Sequence, residues 1–245
     1  MIRIDAKKLG EHVDKCNRWW NNGSDSITVG DILDINCEKK LSDYGIVFSE
    51  IKRGEEILKD IFDKLKENKV EMVETAVFAL NSIYGTQIYN VTHFAIELRR
   101  HIKDDCKGKT LISRIMEAES ADDKAACVDE IASLVKREGY NFAYSFATKF
   151  CSRLAPEKYP IFDSHVATLL NGYINNNEIS ASRFGEYMTF IKEYDEFIKA
   201  NSLDGFSYKQ IDMFLWTYGK TANNYYGKHF KKAEVQYKPP KQENT

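Results

Sequence analysis

The chain lacks the signatures of several large protein classes. No window approaches 18 uninterrupted apolar residues, and residues 1–6 carry charges instead of an apolar signal region. Its five cysteines, at positions 16, 37, 106, 127 and 151, form no C-x-x-C pair, and its five histidines form no H-E-x-x-H motif. We therefore expect a cytoplasmic protein with reduced thiols, no membrane span, no metal and no other cofactor.

Nucleotide-driven, dehydrogenase and serine-hydrolase chemistries also lack support. The chain has no phosphate-cradling P-loop, no G-x-G-x-x-G fingerprint and no G-x-S-x-G elbow. Asp163, Ser164 and His165 are consecutive, and successive residues at a helix start point about 100° apart. They therefore form no Ser–His–Asp relay among themselves.

Charge is nearly balanced overall but uneven along the chain. A formal net charge of −2 counts against indiscriminate nucleic-acid binding. Residues 220–245 are the exception, with six Lys against two Glu and interleaved aromatic side chains. This tail either contacts phosphates while its aromatic rings stack, or is a solvated terminus.

The pattern of apolar residues predicts an all-α protein. The chain is 43% apolar and 13% aromatic over 245 residues, enough for a substantial core, and helical spacing dominates after Gly54. We predict a monomeric bundle of about eight to ten helices. Its divisions are an irregular N-terminal segment packed on the core (residues 1–53), a helical domain (54–219) and a basic aromatic tail (220–245).

Local signals mark where several elements begin and end. Residues 26–29 and 45–49 read as short strands or extended arms. Gly85 breaks the helix predicted over 70–84, Ser207 is the predicted N-cap of the last helix, and Gly219 is its predicted C-terminal stop.

The most informative stretch surrounds Asp163. Pro160 cannot lie inside a helix and biases Tyr159 toward an extended conformation, so the chain is expected to arrive stretched and turn into a helix over 164–170. Asp163 is then the N-cap. A carboxylate there is oriented by backbone N–H groups and favoured as an anion by the helix dipole. Asp163 either serves only as the cap of this helix, or also stabilises a developing cation and activates water.

This stretch carries a family resemblance. Residues 160–166, Pro-Ile-Phe-Asp-Ser-His-Val, resemble the segment that leads to the catalytic Asp of helix-hairpin-helix DNA glycosylases. Residues 145–149, Ser-Phe-Ala-Thr-Lys, followed by 159–164, Tyr-Pro-Ile-Phe-Asp-Ser, look like bacterial proteins with the fold of 8-oxoguanine DNA glycosylase. The resemblance implies that Asp163 and Lys149 are catalytic. Lys149 either attacks C1′ of the sugar as a neutral amine or is a structural or phosphate-binding cation.

The resemblance also implies substrate-binding residues. Asn81 and Gln87 match a turn that enters the duplex beside a flipped nucleotide, although such amides also serve as caps and turn residues. Phe214 and Trp216 match a helix that returns to the base pocket, where either ring stacks on a base or belongs to a core stripe. His165 follows the aspartate in the matched motif.

The expected function is base excision. The resemblance implies a DNA glycosylase that flips a damaged or modified base out of double-stranded DNA and hydrolyses its N-glycosidic bond, with or without lyase activity, in repair or in defence against modified DNA. A non-catalytic helical protein that binds nucleic acid or protein is the alternative. A nucleoside hydrolase would share the sugar-cation chemistry without needing DNA.

Overall fold

A computed structural model gives the structure of residues 8–67, 69–86, 88, 90–103, 109–134, 143–174 and 186–227. Within these ranges the chain forms eleven α-helices, two short 3₁₀ turns and no β-strand. The helices are α1 (Leu9–Asn22), α2 (Val29–Leu33), α3 (Phe48–Lys66), α4 (Val73–Tyr84), α5 (Val91–Lys103), α6 (Leu111–Glu117), α7 (Ala121–Ser133), α8 (Tyr144–Leu154), α9 (Ser164–Ile174), α10 (Glu186–Ala200) and α11 (Tyr208–Tyr226).

The predicted all-α architecture is confirmed. Every helix expected after Gly54 has a counterpart among α3 to α11. The total exceeds the expected eight to ten because the N-terminal segment adds α1 and α2. None of the described helices combines the length and the apolar character needed to cross a membrane.

The N-terminal segment is more regular than its sequence suggested. The buried face of α1 repeats at helical spacing through Leu9, Val13, Cys16 and Trp20. Residues 26–29 and 45–49 form no strand, because Thr28 makes only an isolated bridge to Lys40 and Phe48 already opens α3. A capping box starts α2, in which the Thr28 hydroxyl accepts from the amide of Asp31 at 3.1 Å.

The chain divides into two compact units. The first comprises Met1–Arg53, Asp163–Ile179 and Glu193–Thr245, and the second comprises Gly54–Phe162 and Ser180–Lys192. The sequence-based division at residues 53 and 219 remains a prediction.

The first unit is built around the contact of α1 with α11. The indole Nε1 of Trp20 donates to the Thr217 hydroxyl at 3.0 Å, and the Cys16 thiol donates to the Met213 carbonyl at 3.6 Å. Burial raises the pKa of the Cys16 thiol to about 12, so this cysteine is neutral at physiological pH. The side chains of α11 that face this core include Ile211 and Leu215.

The second unit has an aromatic core centred on α8. Phe146 and Phe150 are fully buried, and they meet Phe94 and Phe62 in edge-to-face contacts at centroid distances of 4.9 and 5.2 Å. The amide of Phe162 donates to the Thr148 hydroxyl at 3.1 Å. Residues on almost every side of α8 are therefore buried, and a charged side chain on this helix needs a specific partner.

Candidate functional site

Asp163 caps α9, as the sequence predicted. Its carboxylate accepts the backbone N–H of His165 at 2.9 Å, and its carbonyl accepts the N–H of Ala167 at 2.8 Å. The side chain is half-buried. Pro160 is buried and lies in the non-helical segment that leads to the helix, where the carboxylate is held against the His165 amide. The anion is thus fixed at the positive end of the helix.

The last helix passes close to this cap. A Cβ built on Gly219 would lie 2.9 Å from the His165 Cβ and 3.1 Å from the His165 carbonyl oxygen. The prediction that Gly219 ends the helix is wrong, because α11 continues to Tyr226. Glycine is used here for close approach of two helices, and helix α11 thereby contacts the first turn of α9.

Lys220 follows directly and was missed as a site residue, because the sequence assigned it to the tail. Its ammonium lies 4.6 Å from the Trp216 ring centroid and donates to the Gly45 carbonyl at 3.3 Å. Burial lowers the pKa of Lys220, while the negative charge of Asp163 acts in the opposite direction. The sequence did contain a signal for this residue, because Lys220 comes one helical turn after Trp216 and so lies on the same helix face.

The two predicted stacking residues on α11 differ in their surroundings. Trp216 is half-buried, with Trp20 edge-on at 5.9 Å and the Lys220 ammonium against its ring. Phe214 is 3% exposed and packs beside Tyr218 at 5.8 Å, as the core-stripe alternative predicts. Trp216 therefore belongs to the surroundings of Lys220, and Phe214 belongs to the core. Stacking on a base stays a prediction for both.

His165 lies where the two helices meet. It is half-buried, its backbone N–H is bonded to Asp163, and its Cβ and carbonyl oxygen face Gly219. Asp163, His165, Trp216 and Lys220 thus occupy one region of the first unit.

Lys149 lies in the second unit and is deeply buried. Its side chain is 4% exposed on α8. The Nζ atom donates to the Ser145 hydroxyl at 2.7 Å and lies 5.7 Å from the centroid of the Tyr84 ring. A lysine that snorkels to solvent is excluded by this burial. The side chain is instead held at a defined position, one helical turn after Ser145.

A buried polar cluster surrounds the same tyrosine. The Arg153 guanidinium donates to the Glu55 carboxylate and to the Tyr84 hydroxyl, and the Tyr84 hydroxyl in turn donates to Glu55. The side chains of Arg153 and Glu55 are 11% and 19% exposed. Burial raises the pKa of Tyr84, which keeps the phenol neutral. The cluster fixes the tyrosine ring against which Lys149 lies.

Asn81 closes the turn after α4. Its side-chain oxygen accepts from the Thr86 hydroxyl at 2.8 Å and from the Ile88 amide at 3.2 Å, just beyond the helix break at Gly85. Asn81 therefore acts as a turn residue, which was the alternative to a contact with DNA. Gln87 lies outside the described residues.

The described residues include no metal cluster. Nowhere in the described ranges do three or more His, Cys, Asp or Glu side chains come together as a group that could hold a metal ion. The four described cysteines are free, and Cys16, Cys127 and Cys151 are buried. The chemistry that these residues offer is that of a capped carboxylate in the first unit and a buried amine in the second.

Comparison with known proteins assigns the chain to a family. The family model HI_0787_N, described as an N-terminal domain, matches residues 36–158, about half of the chain, and the protein belongs to this family. A Haemophilus influenzae protein described as uncharacterized is 27% identical over 190 residues, which cover 76% of this chain and 84% of that protein. No solved structure matches. Lys149 lies inside the family match, whereas Asp163 and Trp216 lie beyond it.

Proposed function

We propose that the protein is a DNA glycosylase, which flips a damaged or modified base out of double-stranded DNA and hydrolyses its N-glycosidic bond. The observation that carries the proposal is the Asp163 carboxylate, which accepts the His165 N–H at a helix start and interacts electrostatically with Lys220. The resemblance of residues 145–149 and 159–166 to glycosylases supports the same reaction. We place the protein in the cytoplasm as a monomer, acting in repair or in defence against modified DNA.

The reaction requires an anion near the sugar. When the C1′–N bond breaks, its electron pair leaves with the base and positive charge develops on the sugar ring. A carboxylate that is already oriented stabilises this cation without reorganisation. The same group takes a proton from the attacking water, whose oxygen bonds to C1′, and the departing base gains a proton from solvent. Asp163 performs both steps in this proposal.

Lys149 decides whether strand cleavage accompanies base release. If its amine attacks C1′ in place of water, the base still leaves with the bond's electron pair. The bond from C1′ to the ring oxygen then breaks, a proton passes from the nitrogen to that oxygen, and an imine forms on Lys149. An amine that is 4% exposed and bonded to the Ser145 hydroxyl at 2.7 Å is held in one position, which suits attack on a single carbon atom. Without the attack, the enzyme is monofunctional.

The test is a panel of duplexes that each carry one modified base. Free base and abasic sites are scored separately, and an unmodified duplex is the control. Release of at least one base supports the proposal. Duplex binding without release of any base would instead favour the non-catalytic binding protein. Release from free nucleosides alone would favour a nucleoside hydrolase.

Borohydride trapping separates the two roles of Lys149. If the amine forms an imine, reduction yields a covalent protein–DNA adduct, and Lys149→Gln abolishes both the adduct and strand cleavage. Adduct yield is read on a denaturing gel, with Lys158→Gln as a matched control that removes a lysine bonded to the Met116 carbonyl. Base release without an adduct assigns the attack to water. Trapping that persists in Lys149→Gln places the nucleophile elsewhere.

A further inference from the structure

Lys220 is a cation on the part of α11 that passes the start of α9, where the proposed catalytic carboxylate lies. Gly219 lets α11 approach His165 so closely that no side chain fits between them, and Lys220 comes next in the chain. The charge of Asp163 acts on the Lys220 ammonium. The helix contact and the electrostatic interaction agree in placing this lysine near the cap of α9.

The Lys220 side chain is held in position. Its exposure is intermediate, its ammonium lies against the Trp216 ring, and one N–H donates to Gly45. An ammonium has three N–H donors, and the bond to Gly45 uses one of them. A half-buried lysine with a bonded head group has already given up much of its rotamer freedom, so less entropy is lost when it binds an anion.

In a glycosylase with this net charge, the Asp163 carboxylate and the DNA phosphates would repel each other. The chain has a formal net charge of −2 and brings the Asp163 carboxylate toward a substrate whose every nucleotide carries a phosphate. Like charges at short range raise the free energy of the complex. A cation next to the carboxylate offsets this repulsion, and the phosphates of a nucleotide are only one sugar away from its C1′ atom.

We propose that Lys220 binds a backbone phosphate of the nucleotide on which Asp163 acts. Lysine serves as a point-charge phosphate ligand in many proteins. The inference rests on the proposed function, because it takes the reacting nucleotide to lie at Asp163. In this role Lys220 anchors the nucleotide backbone, while the Trp216 ring lies against the Lys220 ammonium.

The competing interpretation is that Lys220 only packs on Trp216. A cation against an indole ring contributes to the stability of the fold, so its loss would affect unfolding and leave DNA binding unchanged. The salt dependence of DNA binding separates the two interpretations, because each phosphate contact contributes about 0.9 to the slope of log affinity against log salt.

The experiment measures affinity for an undamaged duplex over a range of salt concentrations, using the full chain and three variants. Lys220→Gln is expected to lower the magnitude of the slope by about 0.9, and Lys220→Arg to retain the wild-type slope because the charge remains. Lys199→Gln, which removes an exposed lysine at the end of α10 in the same unit, is expected to retain it too. Thermal unfolding of each variant confirms that it is folded.

The outcomes distinguish this inference from the proposed function. An unchanged slope in Lys220→Gln, or an equal fall in Lys199→Gln, overturns the phosphate contact even if the protein excises a base. A reduced slope in a protein that excises no base supports the contact and contradicts the glycosylase. A wild-type protein that binds no duplex contradicts both.

Discussion

At the scale of single residues, Asp163 combines a structural and a proposed chemical role in one side chain. Its carboxylate satisfies the His165 amide at the start of α9, which any good N-cap would do. The proposed chemistry needs its charge as well. The two roles are separable, since Asn forms the same cap without the charge.

Asp163→Asn is therefore expected to fold normally and to lose activity. Asn is about as good an N-cap as Asp, so the unfolding midpoint should change little. Loss of the anion should lower base excision by about 100-fold or more, the magnitude typical of a preorganised electrostatic group. The rate is measured as single-turnover base release from the best duplex of the panel. A well-folded Asp163→Asn protein with wild-type excision would remove Asp163 from the mechanism.

Lys149 shows what the sequence alone could not establish. Its position between Phe146 and Phe150 predicted an apolar surrounding, and both rings are buried in the structure. The hydrogen bond to Ser145 fits a helical spacing of four residues. The Tyr84 ring comes from α4, far away in sequence. Contacts of that kind depend on tertiary packing, which a local pattern does not contain.

At the scale of elements, Gly219 shows how a correct local rule leads to a wrong boundary. Glycine after an apolar helical run is a common stop signal, and the sequence therefore predicted an end at this residue. The same absence of a side chain also permits close helix contact. The decisive information is the position of His165 on α9, which no local pattern around Gly219 contains. The Ser207 cap, by contrast, depends only on neighbours, and its prediction is confirmed.

Gly219→Ala tests the close approach of α11 to the start of α9. The added methyl group would meet the His165 Cβ at 2.9 Å and the His165 backbone at 3.1 Å, so α9 or α11 must shift. Alanine favours helix more than glycine does, which offsets part of the cost. We expect a net loss of about 1–3 kcal/mol in the free energy of unfolding, typical of overpacking.

Gly205→Ala is the matched control for that variant. A Cβ on Gly205 meets nothing within 4 Å, so its stability should change by less than about 0.5 kcal/mol. Urea unfolding of both variants gives the comparison. Equal stability of Gly219→Ala and wild type would mean that the helix contact is looser than the structure indicates.

At the scale of the whole molecule, charge distribution is the main issue for a protein that acts on DNA. Net charge is close to zero, so attraction to a polyanion must come from local groups such as Lys220 and the basic residues beyond it. Because α11 extends to Tyr226, the first seven residues of the predicted tail are helical and Lys220 belongs to the fold. Residues 228–245 lie outside the described ranges, and their five lysines are the remaining candidates.

Truncation after Gly227 isolates the contribution of the five lysines in residues 228–245 to DNA binding. It leaves α11 whole, including the Gly227 amide that donates to the Asn223 carbonyl, and thermal unfolding checks that the truncated protein is folded. If the tail binds phosphates, the truncated protein should show a smaller slope of log affinity against log salt, by about 0.9 for each phosphate that the tail neutralises. A duplex without modified bases is the ligand, so the result does not depend on catalysis. A slope equal to that of the full chain would make the tail a solvated terminus, and the phosphate contacts would then have to come from the folded helices.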